Sequence, residues 1–206
     1  MGKKKLSVMP HNNLAVFYCG TNGAGKSTLR SFNQDTVQIV IDSDNIAAQI
    51  NPSAPRQADF EAGREAVKLF RFAINNRISF SMESTLSGNS ILQRIRTAKV
   101  QGFYVRLNYV AVNHVSINLA RVVARVKSGG HPIDENTIRQ RYKVSQAHLL
   151  EALPFCDEVL VYDNSTDKPH MIFFLNAKNL FLLTEKLPEW CRNLQQELHR
   201  LGYISV

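Results

Sequence analysis

Long hydrophobic runs are missing from this 206-residue chain. No apolar stretch approaches the ~20 residues of a membrane span, and the opening MGKKKLSVMP lacks the apolar core of a signal peptide. Leu6 also stands where N-myristoylation requires Ser or Thr. Cysteine is scarce: Cys19, Cys156 and Cys191 are odd in number and have no metal-ligand spacing, which predicts reduced thiols in a cytoplasmic protein with no membrane partner. Aromatic residues interleaved with basic ones, the surface expected for stacking nucleic-acid bases, are not found. Internal repeats, low-complexity tracts and linkers are absent too. The length suits a single domain over residues 1–206. Its core is expected at about 14–164, with a C-terminal edge strand and helix at 170–201.

Positive charge is plentiful. Lys and Arg number 25 against 17 Asp and Glu, for a formal net charge of +8. The basic residues are spread over Lys3, Lys4 and Lys5 and over LARVVARVKSGGHPIDENTIRQRYK, residues 119–143. They form no single dense tract, which leaves nucleic acid an unlikely partner.

The densest chemical signal is FYCGTNGAGKSTLRSF at residues 17–32. Gly20 and Gly25 bracket four residues and are followed by Lys26 and Ser27, which completes the phosphate-binding pattern G-x-x-x-x-G-K-S/T. LAVFYC before it reads as a buried strand and KSTLRSF after it opens a helix, the order this loop requires. Gly20, Thr21, Asn22, Gly23, Ala24, Gly25, Lys26, Ser27 and Thr28 are therefore expected to bind ATP or GTP. Lys26 should reach the β- and γ-phosphates, and Ser27 should place its hydroxyl on Mg²⁺. A glycine-rich turn with an exposed lysine is the plain alternative.

Strand and helix signals then alternate. Strands are expected at 38–42, 78–83, 104–110 and 158–162, and helices at 57–76, 90–100, 114–127 and 134–150. The pattern predicts an α/β P-loop kinase fold: a mostly parallel sheet with helices on both faces and an arginine-rich helical lid. An edge strand at 171–176 and a helix at about 177–199 should close the chain. Ligands in such sheets sit beyond the carboxyl ends of the strands.

Those strand ends carry carboxylates. Asp42 and Asp44 stand two apart where the second strand ends, a spacing that turns both toward one cleft on an extended chain. One carboxylate would arrange magnesium-bound water and the other would take the proton of an acceptor hydroxyl. Capping the following helix is the plain reading, for Asp44 in particular. In ISFSMESTLSG, Ser79, Ser81 and Glu83 alternate with Ile78, Phe80 and Met82, so Glu83 should emerge at the catalytic end for substrate or magnesium contact. Pairing with a structural arginine is its alternative. Arg121 and Arg125 lie four apart on one helix face, Gly129 and Gly130 provide a hinge, and Arg139 and Arg141 follow. They read as a lid closing on a triphosphate, or else as a solvated basic helix pair.

Taken in order, GTNGAGKST, VIDSDNIA, EAGRE, MESTLSG and RVVARVKSGGHPIDENTIRQRY resemble the zeta-toxin family of phosphoryl transferases over roughly residues 14–164. The resemblance implies transfer of phosphate from ATP or GTP to the amino-sugar 3′-hydroxyl of UDP-N-acetylglucosamine, with toxicity and an antitoxin partner as expectations. It makes Lys26 and Ser27 nucleotide and magnesium residues, Asp44 the general base, and Glu83 and Thr85 substrate contacts. It also implies lid charges from Arg121 or Arg125 with Arg139 or Arg141, and turns Glu61 or Glu65 toward the acceptor. Two features depart from the larger toxins and bear on the acceptor: ESTLSG has Ser87 and no arginine nearby, and the lid carries Gly129, Gly130 and His131. A P-loop ATPase without a small acceptor and an enzyme of nucleic-acid ends are the competing readings.

Overall fold

The computed structural model describes residues 13–33, 35–130 and 132–206. Lys3, Lys4, Lys5, Leu6 and His131 lie outside the described residues. Among the described residues eight strands, β1 (Leu14–Cys19), β2 (Ile39–Ile41), β3 (Phe80–Ser84), β4 (Tyr104–Ala111), β5 (Glu158–Asp163), β6 (His170–Asn176), β7 (Asn179–Leu182) and β8 (Ile204–Ser205), are interspersed with seven α-helices. The helices are α1 (Lys26–Asn33), α2 (Ser43–Ile50), α3 (Asp59–Asn75), α4 (Asn89–Val100), α5 (Val115–Lys127), α6 (Glu135–Ala152) and α7 (Glu189–Arg200).

All strands join one sheet in the order β2-β3-β1-β4-β5-β6-β7-β8. Pairing is parallel from β2 through β5 and antiparallel at β5–β6 and β6–β7. The first connection runs from β1 to one side and a later one to the other, so the loop after β1 sits where the strand order reverses. Open α/β sheets bind ligands at that point.

Helices cover the two faces unequally. The larger core buries Phe17, Phe80, Leu107 and Tyr109 against Ala62 and Phe70 of α3, Ile95 of α4, Leu149 of α6 and Leu194 of α7. Phe80 is its centre, with edge-on rings of Phe17 and Phe70 at 5.8 and 5.6 Å and Phe103 at 5.7 Å. On the opposite face, Leu29 of α1 packs on Val16, Tyr18 and Val110. Ser81, Arg106, Asn108 and Glu158 share that face by register with Val16 and Tyr18. Such polar positions leave little apolar area for a second helix to cover. Arg106 instead bridges Asp35, at 3.1 Å, and Glu158, and Asp35 in turn accepts from the Tyr18 hydroxyl. A third, small cluster of Val115, Val122 and Ile138 joins α5 to α6.

The chain after β6 corrects the expected helix at 177–199. Residues 179–182 form β7, and the helix begins only at Glu189. A tight turn through Ala177, at φ 52°, folds β7 back on β6, and Leu180 pairs with Leu175. The short apolar run NLFLL matches one turn of an amphipathic helix as well as it matches a strand, which is why periodicity alone misplaced it. β6 is consequently not the edge strand. That position belongs to β8, which pairs with β7 in parallel. No helix of the described residues is long and apolar enough to cross a membrane.

Candidate active site

Residues 20–25 cross from β1 to α1 in a tight loop with positive φ at Gly23 (75°) and Gly25 (99°). A Cβ on Gly23 would lie 2.7 Å from the Asn118 carbonyl oxygen, and one on Gly25 would lie 2.2 Å from Asn164 Nδ2. Glycine is needed at both places for conformation and for space. The same asparagines hold the loop: Asn118 Nδ2 donates to the Asn22 carbonyl and Asn164 Nδ2 to the Ala24 carbonyl, each at 2.7 Å. Carbonyls that would repel a phosphate are thereby occupied by protein donors. Lys26 Nζ rests 3.4 Å from the Thr21 carbonyl. Burial pushes its ammonium pKa down, and the nearby Glu83 carboxylate pushes back.

A cleft of about 440 Å³ opens beyond the strand ends. Asn22, Gly23, Gly25, Lys26, Ser27 and Thr28 form one wall, and Asp42, Asp44, Glu83 and Thr85 another, with Arg121 and Arg125 above. Four sequence segments far apart in the chain thus meet at one place.

The carboxylates divide by environment. Asp42 is the N-cap of α2: its Oδ1 accepts from the Asn45 amide at 3.2 Å and its Oδ2 pairs with Arg30 Nη2 at 3.2 Å. Capping therefore falls to Asp42, whereas Asp44, in the first turn of α2, stands exposed on the cleft wall. The two share the cleft because strand gives way to helix between them, not because the chain stays extended. Glu83 accepts from the Ser27 hydroxyl at 3.0 Å and lies 2.9 Å from Arg30 Nη1. Burial raises its carboxyl pKa above the ordinary range and the Asp42 charge adds to this, while Arg30 and Lys26 oppose them.

Arg30 went unremarked in the sequence, although it lies three residues after Ser27 on the same face of α1. Its guanidinium links the ends of β2 and β3 to the helix that follows the phosphate loop. Glu83 Oε1 is nonetheless buried with no hydrogen bond, since its contact with Arg30 is poorly directed. An unsatisfied carboxylate oxygen beside the Ser27 hydroxyl suits Mg²⁺, which takes few protein ligands together with phosphate oxygens. No group of three or more His, Cys, Asp or Glu converges among the described residues to hold a metal by itself.

The lid arginines separate. Arg121 Nη1 approaches the Gly23 carbonyl at 3.4 Å, and Arg141 Nη1 donates to Asn22 Oδ1 at 2.9 Å. Arg139 pairs instead with Glu135 one turn away, at 2.6 Å, and does not line the cleft. Gly129 and Gly130 end α5 in a helix-stop motif: their amides return to the carbonyls of Val126 and Arg125 at 3.1 and 2.8 Å. Glu61 is exposed on α3 and Glu65 pairs with Lys68 at 3.0 Å; neither lines the cleft. Asn118 and Asn164 were missed because no local spacing marks them; they enter through tertiary packing alone.

A protein of Haemophilus influenzae described as uncharacterised is 68% identical over 142 residues, 69% of this chain and all of that protein. A structure from the PezAT chromosomal toxin-antitoxin system of Streptococcus pneumoniae superposes with a TM-score of 0.60 at 15% identity, over 97% of this chain and 88% of that one. The AvrRxo1-ORF1:-ORF2 structure with ATP gives 0.61 at 12% identity, over 81% and 59% of the two chains. At these identities the structures support a shared fold, as the sheet order does. The sequence profile of the family described as Zeta toxin matches residues 1–168. With the phosphate loop, the paired carboxylates and the arginine helices all inside that match, the chain belongs to the Zeta toxin family.

Proposed function

We propose that the protein is a cytoplasmic kinase that transfers the γ-phosphoryl group of ATP or GTP to a hydroxyl of a small acceptor, UDP-N-acetylglucosamine being the acceptor the family resemblance favours. The observation that carries this reading is the cleft itself: Lys26 and Ser27 on one wall and the exposed Asp44 on the other. Asp44 would receive the proton of an acceptor hydroxyl as the γ-phosphoryl group is transferred.

In this reading the triphosphate lies along residues 20–28, with its γ-phosphate between Lys26 and Asp44. The acceptor hydroxyl gives its proton to Asp44 as its oxygen bonds to the γ-phosphorus, and the bond to the β-γ bridging oxygen breaks to release ADP or GDP. Lys26, Arg121 and Arg125 balance charge on the transferred group. Arg141 steadies Asn22 in the loop, and Arg139 has no direct role. Mg²⁺, when bound, would be held by the Ser27 hydroxyl near Glu83 and Asp42, and would neutralise phosphate charge. Thr85 and Glu83 would contact the acceptor. Glu61 and Glu65 are left outside the proposal, since neither lines the cleft. An antitoxin partner is proposed because the PezAT neighbour comes from a toxin-antitoxin system.

Mass spectrometry of UDP-N-acetylglucosamine and other UDP-sugars after incubation with the protein, ATP and Mg²⁺ tests the proposal. The expected product is one phosphate heavier than its sugar. ADP formation with every sugar unmodified would contradict it.

A further inference from the structure

The family match ends at residue 168, yet the single tryptophan of the chain, Trp190 on α7, is buried in the core against Asp163 and Tyr109. Two routes join it to the phosphate loop. Its indole N–H donates to Asp163 Oδ1 at 2.9 Å, and Asp163 begins a four-residue bracket that ties α7, the phosphate loop and α5 together. The Ser165 hydroxyl donates to Asp163 at 2.7 Å and accepts from the Asn113 amide, at the start of α5, at 2.8 Å. Asn164 donates from its backbone to Ala111 at 2.8 Å and from its side chain to the Ala24 carbonyl at 2.7 Å. The Thr166 carbonyl accepts from Arg121 Nη2 at 3.1 Å. The second route runs through ring packing: the indole lies 6.1 Å from the Tyr109 ring, the Tyr109 hydroxyl is 2.9 Å from Ser145 Oγ, and Ser145 Oγ is 3.5 Å from Thr21 Oγ1.

The donors to the buried Asp163 carboxylate in this bracket are neutral: an indole N–H, a hydroxyl and, at 3.4 Å, the Ser165 amide. The indole N–H and the Ser165 hydroxyl converge on one oxygen, Oδ1, so removing the indole leaves that buried oxygen with the hydroxyl alone and the bracket re-settles around a single strong donor. A shift of Asn164 reaches Ala24, and a shift of Thr166 reaches Arg121.

We propose that Trp190 is a positioning residue of the nucleotide site, and that docking of α7 sets how well the phosphate loop and Arg121 are pre-arranged for a nucleoside triphosphate. This rests on the nucleotide-binding reading above. Pre-arrangement of a loop appears as affinity, because ordering that the protein has already done is not charged to binding.

Calorimetric titration with Mg-ATP of the wild type, Trp190→Phe, Asn164→Ala and the double variant tests the proposal, with Trp190 emission followed in the wild type. Phenylalanine keeps the ring packing and removes the N–H. Affinity should fall about 3- to 30-fold in Trp190→Phe, the range by which positions along a packed network modulate a distant site. On the Asn164→Ala background the further loss should shrink, since both changes act through one bracket. Wild-type emission should change with the same dissociation constant that calorimetry gives. Equal affinity in Trp190→Phe, an equal factor lost on both backgrounds, or flat wild-type emission would overturn the proposal. Absence of ATP binding by the wild type would instead bring down the nucleotide reading, and this proposal with it. Should Trp190→Phe fail to fold, Asp163→Asn enters the same assay and is judged by the same outcomes.

Discussion

At the scale of single residues, what separates the site from an ordinary loop is where charge is left unbalanced. Lys26 holds an ammonium against burial, with its pKa pushed down, so a bound triphosphate relieves a cost already present. Lys26→Ala should remove nearly all turnover while circular dichroism and melting temperature stay close to wild type; unchanged turnover would rule out the phosphate-loop assignment. Arg30 works differently, standing between Asp42 and Glu83 with side-chain exposures of 23%, 13% and 10%. Breaking a buried pair leaves charge uncompensated, so Arg30→Met should lose about 3 kcal/mol in urea unfolding. Adding Glu83→Gln should recover part of that loss, because one of the stranded charges is gone. Strict additivity of the two changes would show that the contact contributes little. The motif pointed to Lys26 and the paired aspartates pointed to the cleft wall, whereas Arg30 looked like any helix arginine. Its role depends on two carboxylates that are distant from it in sequence until the sheet forms.

At the scale of elements, local signals located most of the alternation because buried parallel strands are short apolar runs and their crossover helices are long and periodic. β1 and α5 fall within a residue of expectation. α2 was anticipated only as a helix for an aspartate to cap, since its apolar face is short: Ile46 and Ala47 are its buried residues. The segment after Asn176 was misread because a turn at Ala177 carries no Gly and the strand it starts is brief. The lid was legible as two arginine-bearing helices, but which arginine faces the loop follows from the packing of Val115 and Val122 on Ile138, not from spacing. α5 and α6 share only that small core, and they touch the loop through Asn118 and Arg121 of α5 and Arg141 and Ser145 of α6. Mg-ATP should therefore slow hydrogen exchange across residues 121–142, as the triphosphate bridges loop and lid. Identical exchange with and without nucleotide would leave these helices a solvated basic pair.

At the scale of the whole molecule, the sheet separates stability from chemistry. Its large face is filled by apolar helices and centred on Phe80, far in character from the polar strand ends. Phe80→Ala should cost about 3–5 kcal/mol, the range for deleting a core aromatic, read as a lower urea midpoint with residual turnover in the folded fraction. A loss below 1 kcal/mol would show that the ring cluster is not the centre of the core. The cleft, by contrast, is assembled from the ends of β1, β2 and β3 and from the lid, so its residues can change with little loss of fold. That separation permits the most direct measurement of the central claim: acceptor phosphorylation and ATP binding measured on one preparation of Asp44→Asn beside the wild type. Asparagine keeps the shape but cannot take the hydroxyl proton, so phosphorylation should fall about 10²–10⁴-fold with ATP affinity and melting temperature near wild type. Full phosphorylation by Asp44→Asn would contradict the account and move the proton acceptor to Asp42 or Glu83.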